Sequence, residues 1–222
     1  MNRSIEPTKL DLKTRLKHLY TNPLQEVVIV EVPTMQFLML DGRGDPNTAQ
    51  EYKDAIETLY TVAYTTKFLL KNEAALDYPV MPLEGLWWAD GGREAPRENW
   101  QWTMMIMQPD CVTEVWFAEA CRQAQRKKNP RALEKIRLGQ FSEGTVAQIM
   151  HIGPFADEGP TLEKLDRFFV EHGYAFRGKH HEIYLNDLRR VASDKMRTII
   201  RHPLDEEPFQ NDDGWHRRRT VN

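Results

Sequence analysis

The sequence predicts an α+β fold in which two β-α-β-β units, related by a pseudo-two-fold axis, share one antiparallel sheet. Helices are expected on one face of the sheet and a ligand cleft on the other. Three observations lead there. Apolar runs of strand length alternate with helical stripes in the same order twice. Turn-forming clusters rich in Gly, Pro, Asp and Asn separate the elements. Segments of the two halves also match in pattern: Gln36-Phe37-Leu38-Met39-Leu40-Asp41-Gly42 with Ala147-Gln148-Ile149-Met150-His151-Ile152-Gly153, and Leu86-Trp87-Trp88-Ala89-Asp90 with Ile183-Tyr184-Leu185-Asn186-Asp187. Residues 103–109 match 196–203 in pattern and in their closing proline. Self-similarity on this scale marks an internal repeat.

One domain is expected over residues 1–204, with repeat halves at about 27–110 and 137–204 and a polar tail at 205–222. Leu12, Leu16 and Leu19 sit at helical spacing and predict a short helix over 8–20. A β-rich run at 27–32 stops at Pro33. A second strand, 36–40, ends in Asp41-Gly42-Arg43-Gly44-Asp45-Pro46. Asn47 or Thr48 then suits the N-cap of a helix reaching about residue 70. Tyr52, Ile56, Leu59, Tyr60, Ala63 and Phe68 form its apolar stripe. Strands at 83–89 and 100–107 join through Asp90-Gly91-Gly92-Arg93, and Pro109 closes the second. The helix at 113–128 has Thr113 as cap and basic residues in its last turn, where they suit the helix dipole.

The order then starts again. A strand at 145–152 ends in Gly153-Pro154, and Thr161 caps a helix running through Leu162, Leu165, Phe168 and Phe169 to His172-Gly173. Strands at 181–185 and 196–201 follow, with a turn at 186–193 between them and Pro203 as terminator. In the tail only Phe209 and Trp215 offer anchors.

Composition excludes several function classes. Lys plus Arg is 30 against 33 Asp plus Glu, a net charge of −3. No basic surplus exists to neutralise a nucleic-acid backbone, and Arg217-Arg218-Arg219 does not supply one. The two cysteines, Cys111 and Cys121, lie about 15 Å apart along one helix and its approach, outside disulfide reach. Free thiols fit a reducing compartment, and neither a signal-peptide core nor an 18-residue apolar run occurs. A cytoplasmic protein without membrane contact is the expectation. Its 6 Trp, 9 Met, 7 Tyr and 9 Phe supply contact area either for a core or for a bulky apolar ligand.

Strand alternation puts His180, Glu182 and Tyr184 on one face and His181, Ile183 and Leu185 on the other. The Ile183/Leu185 face suits packing beneath helices, which sends Glu182 and Tyr184 to the cleft. A carboxylate among aromatics is desolvated, so its pKa is expected to rise, making Glu182 a candidate base or acid. It would equally attract a cationic aromatic ligand, or pair internally with Arg197 or Arg201. Tyr184, roughly 7 Å along the same face, can touch the same ligand. Trp102 and Met104 share a strand face. Trp87 and Trp88 point to opposite faces; the repeat pairs Trp87 with Tyr184, but a one-residue slip would select Trp88.

His151 ends its strand, where it either assists proton transfer or holds structure. His180-His181-Glu182 invites a metal reading, yet adjacent strand residues point apart and no His-x-x-x-His completes a site, so neither metal nor cofactor is expected. Tyr60 and Tyr64, four apart on the first long helix, either close over the cleft edge or pack in the core. Gly42-Arg43-Gly44 is too short for a phosphate loop, and no Ser or Cys nucleophile with a base stands out.

Gln148-Ile149-Met150-His151-Ile152-Gly153-Pro154-Phe155, Asp157-Glu158, residues 179–187 around Glu182 and residues 195–201 together resemble the GyrI-like small-molecule-binding family. So do residues 37–46 and 100–106. The resemblance spans about 10–204 and is closest to the stand-alone branch, which has no DNA-binding domain. It implies the duplicated fold, an aromatic cleft and a buried acid at its centre. Relatives form the effector-binding half of multidrug-responsive regulators, and some stand-alone members hydrolyse the strained cyclopropane of DNA-alkylating cyclopropanoid antibiotics. The implied partner is a hydrophobic or cationic aromatic small molecule. In the implied hydrolysis Glu182 activates water while Tyr184 or His151 stabilises charge on the departing carbonyl. The alternatives are a protein that sequesters drugs without chemistry, or an inhibitor of a protein partner such as DNA gyrase.

Overall fold

The computed structural model describes residues 6–22, 25–186 and 191–205; Asp187 and the expected tail anchors Phe209 and Trp215 lie outside them. The chain runs β1 (Thr8–Lys9), α1 (Leu12–Arg15), α2 (Lys17–Tyr20), β2 (Val28–Val32), β3 (Met35–Arg43), α3 (Gln50–Glu73), β4 (Leu76–Asp77), β5 (Leu83–Trp88) and β6 (Gln101–Gln108). It continues with α4 (Glu114–Lys127), β7 (Arg137–Phe141), β8 (Gly144–Ile152), α5 (Gly159–His172), β9 (Ala175–Phe176), β10 (His180–Tyr184) and β11 (Arg197–Asp205).

The main sheet has the order β2-β8-β11-β10-β5-β6-β3-β7, with β9 beside β11. All its pairings are antiparallel. On either side of the central β10–β5 pair the order is that of a β-α-β-β unit: β8, β11, β10 on one side and β3, β6, β5 on the other. The outer strands cross over. β2 leads into the first unit yet pairs with β8 of the second, and β7 leads into the second yet pairs with β3 of the first.

Both faces of the sheet are covered, which is why runs such as Met104-Met105-Ile106-Met107 are apolar at every position. Leu40, Leu83, Trp87, Met104 and Ile200 pack on one face against Leu59, Val62 and Ala63 of α3, Ala120 and Ala124 of α4, and Leu165 and Phe169 of α5. Phe37, Met105, Ile183 and Ile199 pack on the other against Leu12, Leu19 and Tyr20 of the short N-terminal helices. Tyr184 belongs to the first group and Ile183 to the second. The alternation of residues 180–185 is therefore as the pattern predicts, but the assignment of sides is reversed: Glu182 and Tyr184 stand on the face that carries α3, α4 and α5.

Local differences from the sequence reading have local causes. The helix expected over 8–20 is split at Leu16 (φ −104°), preceded by the β1–β4 pairing. Ala49, not Asn47 or Thr48, is the N-cap residue of α3 and makes no side-chain cap, while Asp45 accepts from the Asn47 N–H at 2.9 Å in the turn before it; α3 begins only at Gln50. Glu158, not Thr161, is the N-cap residue of α5. Pro203 does not end its strand: it pairs opposite Val146, and its carbonyl accepts from the Arg177 N–H at 2.9 Å. Strand β7 has no counterpart among the predicted elements.

Behind the sheet, on the Ile183 face, lies a buried charged cluster. His181 Nδ1 is 3.0 Å from Glu143 Oε1 and its Nε2 is 3.0 Å from Glu84 Oε2. Arg201 reaches Glu143 at 3.2 Å, Gln148 at 3.0 Å and the Leu19 carbonyl at 2.7 Å, while the Tyr20 hydroxyl donates to Glu84 at 2.7 Å. Burial alone would depress the His181 pKa, but the two flanking carboxylates outweigh it and push it up to about 9. Burial likewise works against ionisation of Glu143, yet His181 and Arg201 hold its carboxyl below the ordinary range.

Gly42 shows how tightly β3 and β6 close over their aromatic filling. A Cβ there would lie 2.2 Å from Trp102 Cη2, and Trp102 is fully buried, so its rigid ring has nowhere to go. Gly42→Ala is expected to lower stability by about 1–3 kcal/mol in urea denaturation; an unchanged midpoint would show that this contact is soft.

Candidate functional site

Where the two units meet, Glu182 pairs directly opposite Gly85 in the β10–β5 register. The missing side chain matters, because the Trp87 indole lies over that position: a Cβ on Gly85 would fall 2.8 Å from Trp87 Nε1 and 3.1 Å from Met104 Sδ. Trp87 Nε1 donates to the Tyr184 hydroxyl at 3.1 Å, and that hydroxyl donates to Glu182 Oε2 at 2.7 Å. The other carboxylate oxygen accepts from His180 Nε2 at 2.9 Å, and His180 Nδ1 is 2.8 Å from His202 Nε2, with one hydrogen between them. The Glu182 side chain keeps 14% of its surface exposed. Arg201 turns to the opposite face. Among the described residues no lysine or arginine lies within ion-pair distance of Glu182.

Two side chains from the helical layer complete this end. Tyr52 of α3 lies 5.8 Å from the Trp87 ring and edge-on to Trp102 at 5.3 Å. Burial, and then the charge of Glu182, push the Tyr52 and Tyr184 hydroxyls far above the ordinary tyrosine pKa. Phe155, in the turn before α5, sets its ring edge against Tyr184 at 5.7 Å. The same turn delivers Glu158, which is 8% exposed and whose Oε1 has no hydrogen-bond partner among the described residues. Burial and the neighbouring Glu182 charge push the Glu158 carboxyl up to about 9.

From Tyr184 a groove of about 1270 Å³ runs outward along α3. Its wall is an aromatic ladder: Tyr52 at the inner end, then Tyr60, Tyr64 and Phe68, with Tyr60–Tyr64 and Tyr64–Phe68 stacked at 6.4 and 6.5 Å. Tyr64 is 48% and Phe68 51% exposed, a large apolar area to leave in water. Leu185, Asn186, Val80 and Pro82 also line it.

The residues singled out from the sequence thus divide. Glu182, Tyr184, His180 and Trp87 form one hydrogen-bonded chain. Tyr60 and Tyr64 line the groove rather than the core. Trp102 and Met104 are fully buried beneath the site and line no part of the groove. Trp88 points away from Glu182, its ring covered by the Lys179 ammonium 3.2 Å from the centroid. His151 has both ring nitrogens engaged, Nδ1 with Thr161 Oγ1 at 3.0 Å and Nε2 with the Pro154 carbonyl at 3.1 Å, so it braces the start of α5. Tyr52 and Glu158 were absent from the expected site. Tyr52 reads as one more member of a helical stripe. Glu158 reads as an acidic residue at a helix start, although it stands within the motif that carries the family resemblance.

Comparison with known proteins bears on the fold. The GyrI-like small molecule binding domain matches residues 25–204. No curated protein matches. An uncharacterized conserved protein from Listeria innocua is 38% identical with a TM-score of 0.82, over 88% of this chain and 100% of its own. A hydrolase from Listeria innocua is 36% identical with a TM-score of 0.78, again over 88% and 100%. The C-terminal domain of EcmrR, 12% identical over 83% of this chain and 99% of its own, shares the fold at a TM-score of 0.53. With an antiparallel sheet whose two halves meet at a largely enclosed acid, and a match over residues 25–204, the chain belongs to the GyrI-like small-molecule-binding family.

Proposed function

We propose that the protein binds flat hydrophobic or cationic aromatic molecules along the α3 ladder and hydrolyses cyclopropanoid toxins, with Glu182 as general base. The reading includes a single domain over residues 1–204, built of two repeated units. The observation that carries it is a carboxylate with no lysine or arginine beside it among the described residues, held by His180 and by Tyr184, which also lines the inner end of an aromatic groove. Stacking on Tyr60 and Tyr64 would orient a planar substrate, and orientation supplies part of the rate. Glu182 takes a proton from water, and the water oxygen bonds to the electrophilic ring carbon. The strained C–C bond breaks, and its electron pair flows into the conjugated carbonyl, whose oxygen then takes a proton. One water is consumed. The hydrolase among the relatives supports this reading.

The exposed ladder from Tyr60 to Phe68 also suits capture without chemistry. One experiment separates the two. The purified protein is incubated with a duocarmycin-type cyclopropanoid, and the recovered compound is weighed by mass spectrometry. Hydrolysis is expected to return the compound plus one water. Unchanged compound with quenched tryptophan fluorescence would leave a sequestering protein, and absence of binding would remove both readings.

A further inference from the structure

The ring opening needs a proton delivered to the departing carbonyl as well as a base, and the groups around Glu182 narrow the choice of donor. The hydrogen of the Tyr184 hydroxyl is already given to Glu182, and its oxygen is taken by Trp87. Both nitrogens of His180 are occupied by Glu182 and His202. Those of His151 are occupied by Thr161 and Pro154. Glu158 differs. The 3₁₀ turn Phe155–Asp157, whose phenylalanine packs on Tyr184, brings it into the field of Glu182. Among the described residues its buried Oε1 finds no partner, an arrangement that normally costs about 1–3 kcal/mol and that native folds retain where a catalytic role, a water or an ion accounts for it.

We propose that Glu158 is the proton donor of this site, a second catalytic carboxyl that hands its hydrogen to the carbonyl oxygen released as the ring opens. The proposal rests on Glu182 acting as base. In one turnover Glu182 gains the proton lost by the attacking water, and Glu158 loses one to the new phenol. Exchange with solvent resets the pair, and the sum is the addition of one water. Two carboxyl groups held in opposite protonation states by mutual repulsion and burial are a recurrent way of providing an acid and a base near neutrality. Glu182, His180, His202 and His151 are also titratable on this side; of the remaining groups there, Tyr52 and Tyr184 keep their protons well beyond the range in which Glu158 loses its own.

The test is the ring-opening rate of wild type, Glu158→Gln and Glu158→Asp against pH, with a duocarmycin-type compound as substrate. Wild-type kcat is expected to fall as pH rises through about 9. Glu158→Gln is expected to lose about 100-fold in kcat with KM unchanged, and to lack the alkaline fall. Glu158→Asp, which keeps a transferable proton, should recover part of the rate. His181, on the opposite face, also titrates near 9, but its contribution would persist in Glu158→Gln. Should Glu158→Gln not fold, the wild-type profile decides: a rate that stays level past pH 9 overturns the proposal. A folded Glu158→Gln with the wild-type rate overturns it too, and leaves Glu182 as base if Glu182→Gln is inactive. A wild-type protein that binds the compound without opening it removes the hydrolysis reading itself, and the donor with it.

Discussion

Glu182→Gln is expected to lower kcat for ring opening by about 10²–10⁴-fold while leaving the affinity for a neutral planar ligand little changed. The substitution keeps shape and volume, so the packing around Gly85 and Trp87 should persist. It also has a way to satisfy the new amide. Tyr184 continues to donate to the remaining carbonyl oxygen. The amide N–H meets His180 Nε2, which accepts once His180 carries its hydrogen on Nδ1, and the His180–His202 contact at 2.8 Å permits that exchange. The loss should therefore appear as chemistry rather than as misfolding. Single-turnover kinetics beside equilibrium binding of the same compound makes the distinction. A Gln variant that opens the ring at the wild-type rate removes Glu182 from the mechanism.

The largest effect on stability should come from the opposite face. Glu143→Ala leaves Arg201 and His181 buried without the carboxylate that lies between them, and breaking such a cluster costs about 3–5 kcal/mol, readable as a shifted urea midpoint. The same cluster sets a pH dependence. His181 has a pKa of about 9 in the folded chain against an ordinary 6.5, so its stabilisation is complete below 6.5 and is lost as pH rises through 9. Glu158 acts in the same direction, because its folded pKa, also about 9, lies above the unfolded 4.5 and folding favours the neutral carboxyl. The melting temperature is thus expected to fall between about pH 6.5 and 9, less steeply in Glu143→Ala. A melting temperature that rises over this window would contradict both assignments.

Most of the strand and helix order was legible because each unit carries its own punctuation: Asp-Gly and Gly-Pro turns, and a glycine at the end of α5, where Gly173 adopts φ +70°. The pairing of Glu182 with Tyr184 and His180 was legible for a simpler reason, since a strand alternates by two. What alternation cannot say is which side faces the helices. That inference needs one polar face, and here both are apolar: Met104 and Met105 are equally buried in opposite directions. The aromatic wall was sought mainly on strands, in Trp87, Trp88 and Trp102, because tryptophans are conspicuous. Tyr60 and Tyr64 of α3, which do line the groove, stayed open between cleft edge and core, because helical spacing fits both alike. Glu158 was hidden for a different reason. Its environment is made by Tyr184 and Glu182, more than twenty positions away in the chain, and no local pattern encodes that meeting.

The crossing of β2 and β7 constrains how a guest can arrive. Each half lends its leading strand to the far border of the other, so the halves are clasped at both rims as well as along the β10–β5 seam. Hinging them apart like the covers of a book would tear several ladders at once. A route to the acid that leaves those ladders intact passes the aromatic side chains of α3 and the turn that carries Phe155.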